Sequence, residues 1–327
     1  MRQARIKIPP DEGAAVYHCV SKTVNGEWLL DDVAKEVLRR QMWQLADYCG
    51  IHILAYALLS NHFHILVHVP ASEVVSDQEL LRRYQVLYPS PTLYQAARLA
   101  VIKAELARNG EAGVAWRRRQ LALMGDVSAY MKLLKQRFSI WFNKTHQRFG
   151  TLWAERFKST LIESEKSILQ KVAGYIDLNS VRAGLVRDPK DYRFCGYAEA
   201  VVGNEKARTG IRSVVGGRVW TEVQAHYREL LFGTGAGPRA SATVPVESFQ
   251  RVVAEGGHLP PATILRCRVR YFTDGAVLGS RAFVQSQLIR YRQKTGAREM
   301  ATPRPLPAYM EWGDMATLRG LRKHAVS

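Results

Sequence analysis

The order of hydrophobic patterns in this chain predicts an α+β fold: a ferredoxin-like (split βαβ) antiparallel sheet with helices on one face, a helical insertion and a helical C-terminal extension. Three observations point to it. A β-α-β-β succession opens the chain, a long amphipathic helix follows further on, and a short apolar strand closes a β-α-β-β-α-β series. Ala15 to Val20 is rich in Val and Tyr, as strands are, and Asn25-Gly26 supplies a turn after it. Between Asp31 and Cys49, the residues Val33, Val37, Leu38, Met42, Leu45 and Ala46 recur at helical spacing. Ile51 to Leu59 and His62 to Val69 read as two strands joined through Ser60-Asn61. Val127 to Lys144 carries an apolar stripe of Tyr130, Leu133, Leu134, Phe138, Trp141 and Phe142. Thr160 to Ile162 makes the last strand, and Glu165 to Val181 a further helix.

The segment between the two halves of this series, about 71–127, has short helical patterns broken at Pro89-Ser90-Pro91 and Asn109-Gly110, and reads as a helical insertion. Residues 1–232 then form the main domain. The small residues of 233–244 have the composition of a linker, and 245–327 is a basic helical region, with helices expected over Val246–Ala254 and Ala276–Arg292. Two readings stand for that region: a DNA-binding module gripping DNA through Arg266, Arg268, Arg270, Arg281, Arg290, Arg292 and Arg298, or a helical cap. With every candidate site residue upstream, chemistry is expected to survive its removal.

Charge narrows the partners. With 47 Lys+Arg against 29 Asp+Glu the formal net charge is +18, so a polyanion is the natural partner. The apolar run Ile53 to Leu59 is far short of the roughly 20 residues of a spanning helix, and the first residues lack an apolar signal core, so no membrane partner is expected and the chain reads as cytosolic. Cys19, Cys49, Cys195 and Cys267 form no CxxC pair, which argues against a zinc ribbon.

The chemistry-bearing residues lie in two places. His62 and His64, two apart in a strand, share a face and can hold a metal. Tyr175 and Asn179, four apart in a helix, share a face as well. A metal held by His62, His64 and Asn179 would polarise a phosphate while Tyr175 attacks it, and a mixed nitrogen and oxygen ligand set suits Mg²⁺ or Mn²⁺. Each residue has a plainer role open to it: hydrogen-bonded strand histidines, a half-buried helical tyrosine, an asparagine at a helix end. Around them Lys132, Lys135, Arg137, Lys144, Arg148, Arg156 and Lys158 interleave with Phe138, Trp141, Phe149, Trp153 and Phe157, a pattern suited to an unpaired nucleic-acid strand, although Phe138 and Trp141 belong more naturally to a core. Arg182 is a candidate phosphate contact.

SNHFHILV at 60–67, RFGTLWAERFKSTLIE at 148–163 and YIDLNSVRAGLVRDPKDYRF at 175–194 resemble, in that order, the signature blocks of single-tyrosine HUH transposases, particularly the REP-associated tyrosine transposases. The resemblance covers roughly residues 14 to 200. It implies a metal-dependent DNA strand-transferase with Tyr175 as the nucleophile that joins a DNA 5′ phosphate, and His62, His64 and Asn179 as metal ligands. Its partner would be single-stranded or hairpin DNA, and the protein a monomer or homodimer in the prokaryotic cytoplasm, associated with the nucleoid. Ser60 and Ser180 stand where the family usually has proline, and neither change removes a reacting group. YFTDGAVLGSRAFV at 271–284 resembles tails carried by some members, without an assignable role. The rival readings are a domesticated, non-cutting DNA-binding protein, a replication-initiator or relaxase-type nicking enzyme, and a metal-binding RNA-interaction protein.

Overall fold

The computed structural model describes residues 5–233, 271–295, 302–306 and 313–318. The expected linker beyond Gly233, Val246–Ala254, Arg266, Arg268, Arg270, Arg298 and Cys267 lie outside them.

The split βαβ core is present. Strand β1 (Ala15–Lys22), helix α1 (Asp32–Cys49), strands β2 (His52–Leu58) and β3 (His62–Val69), helix α5 (Val127–Thr145) and strand β4 (Lys158–Ile162) follow one another as the sequence predicts. The four strands lie in the order β2-β3-β1-β4, all neighbours antiparallel. Local chemistry sets the ends of the helices. Asp31 accepts a hydrogen bond from the Ala34 amide at 2.7 Å to start α1, and Gly50, with φ 64°, ends it in the left-handed region where a glycine costs least. Asp126 caps α5 in the same way through the Ala129 amide. The apolar stripes of α1 and α5 face the sheet side that carries Phe63, where Phe138 and Phe63 both meet the Trp153 ring, at 5.8 and 5.5 Å.

Helices cover the other sheet face too, which corrects the expectation of helices on one face alone. Helix α6 (Lys166–Asp177), the short α7 (Asn179–Arg182), α8 (Gly196–Val201), α9 (Glu205–Val215) and α10 (Trp220–Phe232) follow β4, and α6, α8 and α9 pack on β2. The cause is in β2 itself: Ile53 to Leu58 are all buried, and a strand apolar on both faces needs two covers. Helix α9 comes so near that a Cβ on Gly210 would lie 2.6 Å from the Ile53 carbonyl oxygen, so only glycine admits this approach. The insertion forms three helices, α2 (Asp77–Val86), α3 (Leu93–Ala107) and α4 (Glu111–Leu121), around a small core of Leu80, Leu106 and Trp116.

The C-terminal region adds strands to the helices expected there. Helix α11 (Tyr271–Asp274) leads into strand β5 (Val277–Ser280), helix α12 (Arg281–Thr295), and strands β6 (Arg304–Pro305) and β7 (Met315–Leu318). Only the later part of the expected 276–292 helix is helical. Val277, Leu278 and Gly279 are buried in succession against an open sheet edge, which explains why: β5 pairs in parallel with β4, Leu161 opposite Val277, and the sheet grows to β2-β3-β1-β4-β5-β7-β6. Among the described residues, no helix is long and apolar enough to cross a membrane.

Candidate active site

Strand pairing places the site on the sheet face away from α1 and α5. His62 and His64 alternate with Phe63, so both point to the face opposite the Phe63 core. Register then aligns Lys22 with His62, Val20 with His64, and Lys158 with Val20, so Lys22, His62, His64, Val20, Lys158 and His18 share this face.

Helix α6 lies over it and delivers Tyr175. The Tyr175 ring is 6.1 Å from that of His64 and 6.2 Å from that of His18, both edge-on, and the His62 and His64 rings are 5.1 Å apart. The structure thus gathers His62, His64 and Tyr175. Asn179 opens α7 one turn after Tyr175 and is buried, its Nδ2 donating to the carbonyls of Tyr175 and Ile176, each at 3.1 Å. Both amide hydrogens being directed into the helix backbone, the group it offers outward is the oxygen Oδ1, a ligand that suits a hard cation.

Arg182 joins the same cluster. Its guanidinium lies 4.1 Å over the Tyr175 ring and donates to the Tyr175 carbonyl at 2.5 Å. A fixed positive charge beside a phenol favours its anionic form. His64 and His18 are neutral: burial lowers His64 well below the ordinary imidazole range, with the nearby His18, His62, Arg182 and Lys22 adding to it, and burial pulls His18 down to about 4. A neutral imidazole is the form that binds metal. No group of three His, Cys, Asp or Glu side chains is placed to hold a metal ion among the described residues, and the nitrogen donors that this cluster offers are the paired His62 and His64 imidazoles.

Asp177 anchors the end of α6. It is fully buried, accepts from the Tyr227 hydroxyl of α10 at 2.6 Å and from the Tyr197 amide of α8 at 3.2 Å, and burial pushes its carboxyl up to about 7 against these two bonds. Because the folded state holds its proton more tightly than the unfolded chain, Asp177 contributes stability at low pH that is lost as pH rises from about 4 through 7, at up to roughly 1.4 kcal/mol per unit. The Asp177→Asn variant keeps an acceptor for Tyr227, and in urea unfolding at pH 4.5 and 7.5 it is expected to show a smaller loss of stability with pH than the wild type. An equal loss in both would remove Asp177 from the account.

The expected DNA-contacting residues fall into two groups. Arg182 stands at Tyr175, and Lys158 lies on the histidine face, paired with Glu155 at 3.0 Å. Arg148 and Arg156 belong to the loop before β4, which bonds to the end of β1 through Val24 to Leu152 and Ala154 to Lys22, beside His62. Lys132, Lys135 and Arg137 sit instead on α5, across the sheet from the histidines. Lys135 donates to the Glu155 carbonyl at 2.7 Å, and burial lowers its ammonium to about 8. Of the interleaved aromatics, Phe138, Trp153 and Phe157 are buried, whereas Phe149 is fully exposed, as is most of Trp28 on the loop after β1.

Sequence reasoning missed His18, Lys22 and Phe272. The spacing His18, Val20, Lys22 on a strand signalled a shared face, but not its pairing with β3. Phe272, 254 residues from His18, brings its carbonyl within 2.8 Å of His18 Nδ1 and its ring centroid within 4.7 Å of Tyr175's.

No family model matches the chain, and no curated protein does. Among solved structures, that of a REP-associated tyrosine transposase bound to a REP hairpin is similar over 62% of this chain and 85% of that chain, with 15% identity and a TM-score of 0.38.

Proposed function

We propose that this chain cleaves and rejoins single-stranded or hairpin DNA through a covalent 5′-phosphotyrosine at Tyr175, with Mg²⁺ or Mn²⁺ held by His62, His64 and Asn179. The observation that carries the proposal is the meeting of Tyr175, under the Arg182 guanidinium, with the His62 and His64 pair on one sheet face. The first and last of the three sequence blocks that resemble single-tyrosine HUH transposases supply these same residues.

In this reading the Tyr175 oxygen attacks the scissile phosphorus, and the bond from phosphorus to the 3′ oxygen breaks. The phenolic proton is lost to solvent and the leaving 3′ oxygen gains one. A bound divalent cation supplies Lewis-acid polarisation of the phosphate. The Arg182 guanidinium over the ring offsets negative charge that develops on the phenolic oxygen as its proton leaves. Asp177 and Arg182 hold the α6–α7 turn, so the nucleophile is placed before substrate arrives. The ester energy is kept in the phosphotyrosine, so a 3′ hydroxyl can attack it in reverse and strand transfer needs no ATP.

Lys22, Arg148, Arg156 and Lys158 give a basic rim for the backbone, and the exposed Phe149 and Trp28 give faces on which unpaired bases stack. A non-cutting DNA-binding role would leave the buried convergence of Tyr175 on the histidines without use.

Incubation with end-labelled hairpin DNA and Mn²⁺, run on a denaturing gel, is expected to give a protein–DNA adduct that EDTA abolishes. His62→Ala and His64→Ala should each lose most of it, by about 100-fold, with partial recovery at higher Mn²⁺. Undiminished adduct in chelator would sink the metal mechanism, and no adduct with any hairpin or single strand would sink the function.

A further inference from the structure

Both histidines of the site are held from behind, and the polarity of each contact can be read from the group at its far end. His64 Nδ1 lies 2.9 Å from His18 Nε2, and His18 Nδ1 lies 2.8 Å from the Phe272 carbonyl oxygen. A carbonyl oxygen only accepts, so His18 must carry its proton on Nδ1. A neutral His18 then has its lone pair on Nε2, and His64 must donate from Nδ1. That leaves the His64 lone pair on Nε2.

His62 repeats the logic through an amide. Its Nδ1 lies 2.6 Å from Asn61 Oδ1, while Asn61 Nδ2 donates to the Gly26 carbonyl at 3.1 Å. The Gly26 oxygen fixes which end of the amide faces it, so Oδ1 is the end that meets His62, and His62 also donates from Nδ1. In its neutral form its lone pair too is on Nε2.

We propose that His18 and Asn61 are positioning residues that lock His64 and His62 into the same Nδ1–H tautomer, so that both imidazoles present Nε2 as the metal-binding nitrogen. The two relays end on backbone carbonyls, Phe272 in α11 and Gly26 in the loop after β1, neither of which can change polarity. This inference rests on the proposed metal site for its purpose, but the tautomers themselves do not depend on a metal being bound. An imidazole ligand whose far nitrogen is committed to an acceptor gains orientation and basicity, and loss of such a partner typically weakens metal binding about 10- to 100-fold.

The first test is made on the full-length wild type without metal, labelled with ¹⁵N-histidine, by long-range ¹H–¹⁵N correlation. His62 and His64 are each expected to show the Nδ1–H pattern. An Nε2–H pattern in either overturns the relay behind it. The second is Mn²⁺ binding followed by electron paramagnetic resonance. His18→Leu and Asn61→Ala, with no acceptor, should each weaken binding about 10-fold or more, whereas His18→Gln and Asn61→Asp, which restore an acceptor, should recover most of it. Wild-type affinity in folded His18→Leu and Asn61→Ala overturns the positioning role. If His18→Leu does not fold, the His18→Gln titration and the wild-type tautomer still decide for His64. A wild type with the expected tautomers but no Mn²⁺ binding would remove the metal from the proposed function while leaving the relays standing.

Discussion

Replacement of Tyr175 by phenylalanine is expected to abolish the covalent adduct with hairpin DNA, a loss on the order of 1,000-fold or more, because the variant lacks the attacking oxygen and nothing else. The ring is packed on two sides. It is buried against Phe272 at 4.7 Å and beneath Arg182 at 4.1 Å, and phenylalanine preserves both contacts. Stability should therefore change little, and hairpin affinity should stay within about twofold of wild type, since the phosphate contacts come from basic side chains that are untouched. A gel-shift titration and an adduct gel on the same preparation separate binding from chemistry. Wild-type adduct from Tyr175→Phe would show that the phosphate is attacked by another group.

Much of this site was legible in the sequence because its signals are local. A two-residue spacing in a strand and a four-residue spacing in a helix each assign residues to a face without knowledge of the rest of the fold, and they found His62 with His64 and Tyr175 with Asn179. The β-α-β-β-α-β succession was legible for the same reason. What escaped depends on register and on distant partners. His18 becomes a neighbour of His64 only through the pairing of β1 with β3, in which Val20 stands opposite His64, and one residue of slip would send it to the other face. The basic residues of α5 were assigned to a DNA path because charge and aromatics interleave there. The helix, however, turns its aromatics to the core on the far side of the sheet, so Lys132, Lys135 and Arg137 are carried away from the histidines. The second layer of helices had a signal that was passed over: β2 is apolar at consecutive positions, which an open sheet face does not allow. The strands of the C-terminal region are short and pair with an edge more than 100 residues earlier, which no local pattern encodes.

That last misreading changes the expected result of truncating the chain after Gly233. From the sequence, with Tyr175, His62, His64 and Asn179 all upstream, chemistry should survive. In the folded chain, truncation removes the bonds from the Leu161 amide to the Ala276 carbonyl and from the Glu163 amide to the Leu278 carbonyl, leaving β4 as a bare edge. It also uncovers one face of Tyr175 and takes away the carbonyl that fixes His18. Phe272 is fully buried, and a side chain of that size contributes about 1.5–3 kcal/mol by its burial alone. The truncated chain is expected to lose at least about 3 kcal/mol of stability and to form less than about a tenth of the wild-type adduct at saturating DNA. The milder Phe272→Ala variant isolates the ring from the strand pairing: it keeps the backbone carbonyl and the β5 contacts, so it should lose stability yet retain the His64 tautomer. Urea unfolding and the adduct gel read both variants. A truncated chain that folds with wild-type stability and full adduct would show that the C-terminal segment leans on the site without supporting it.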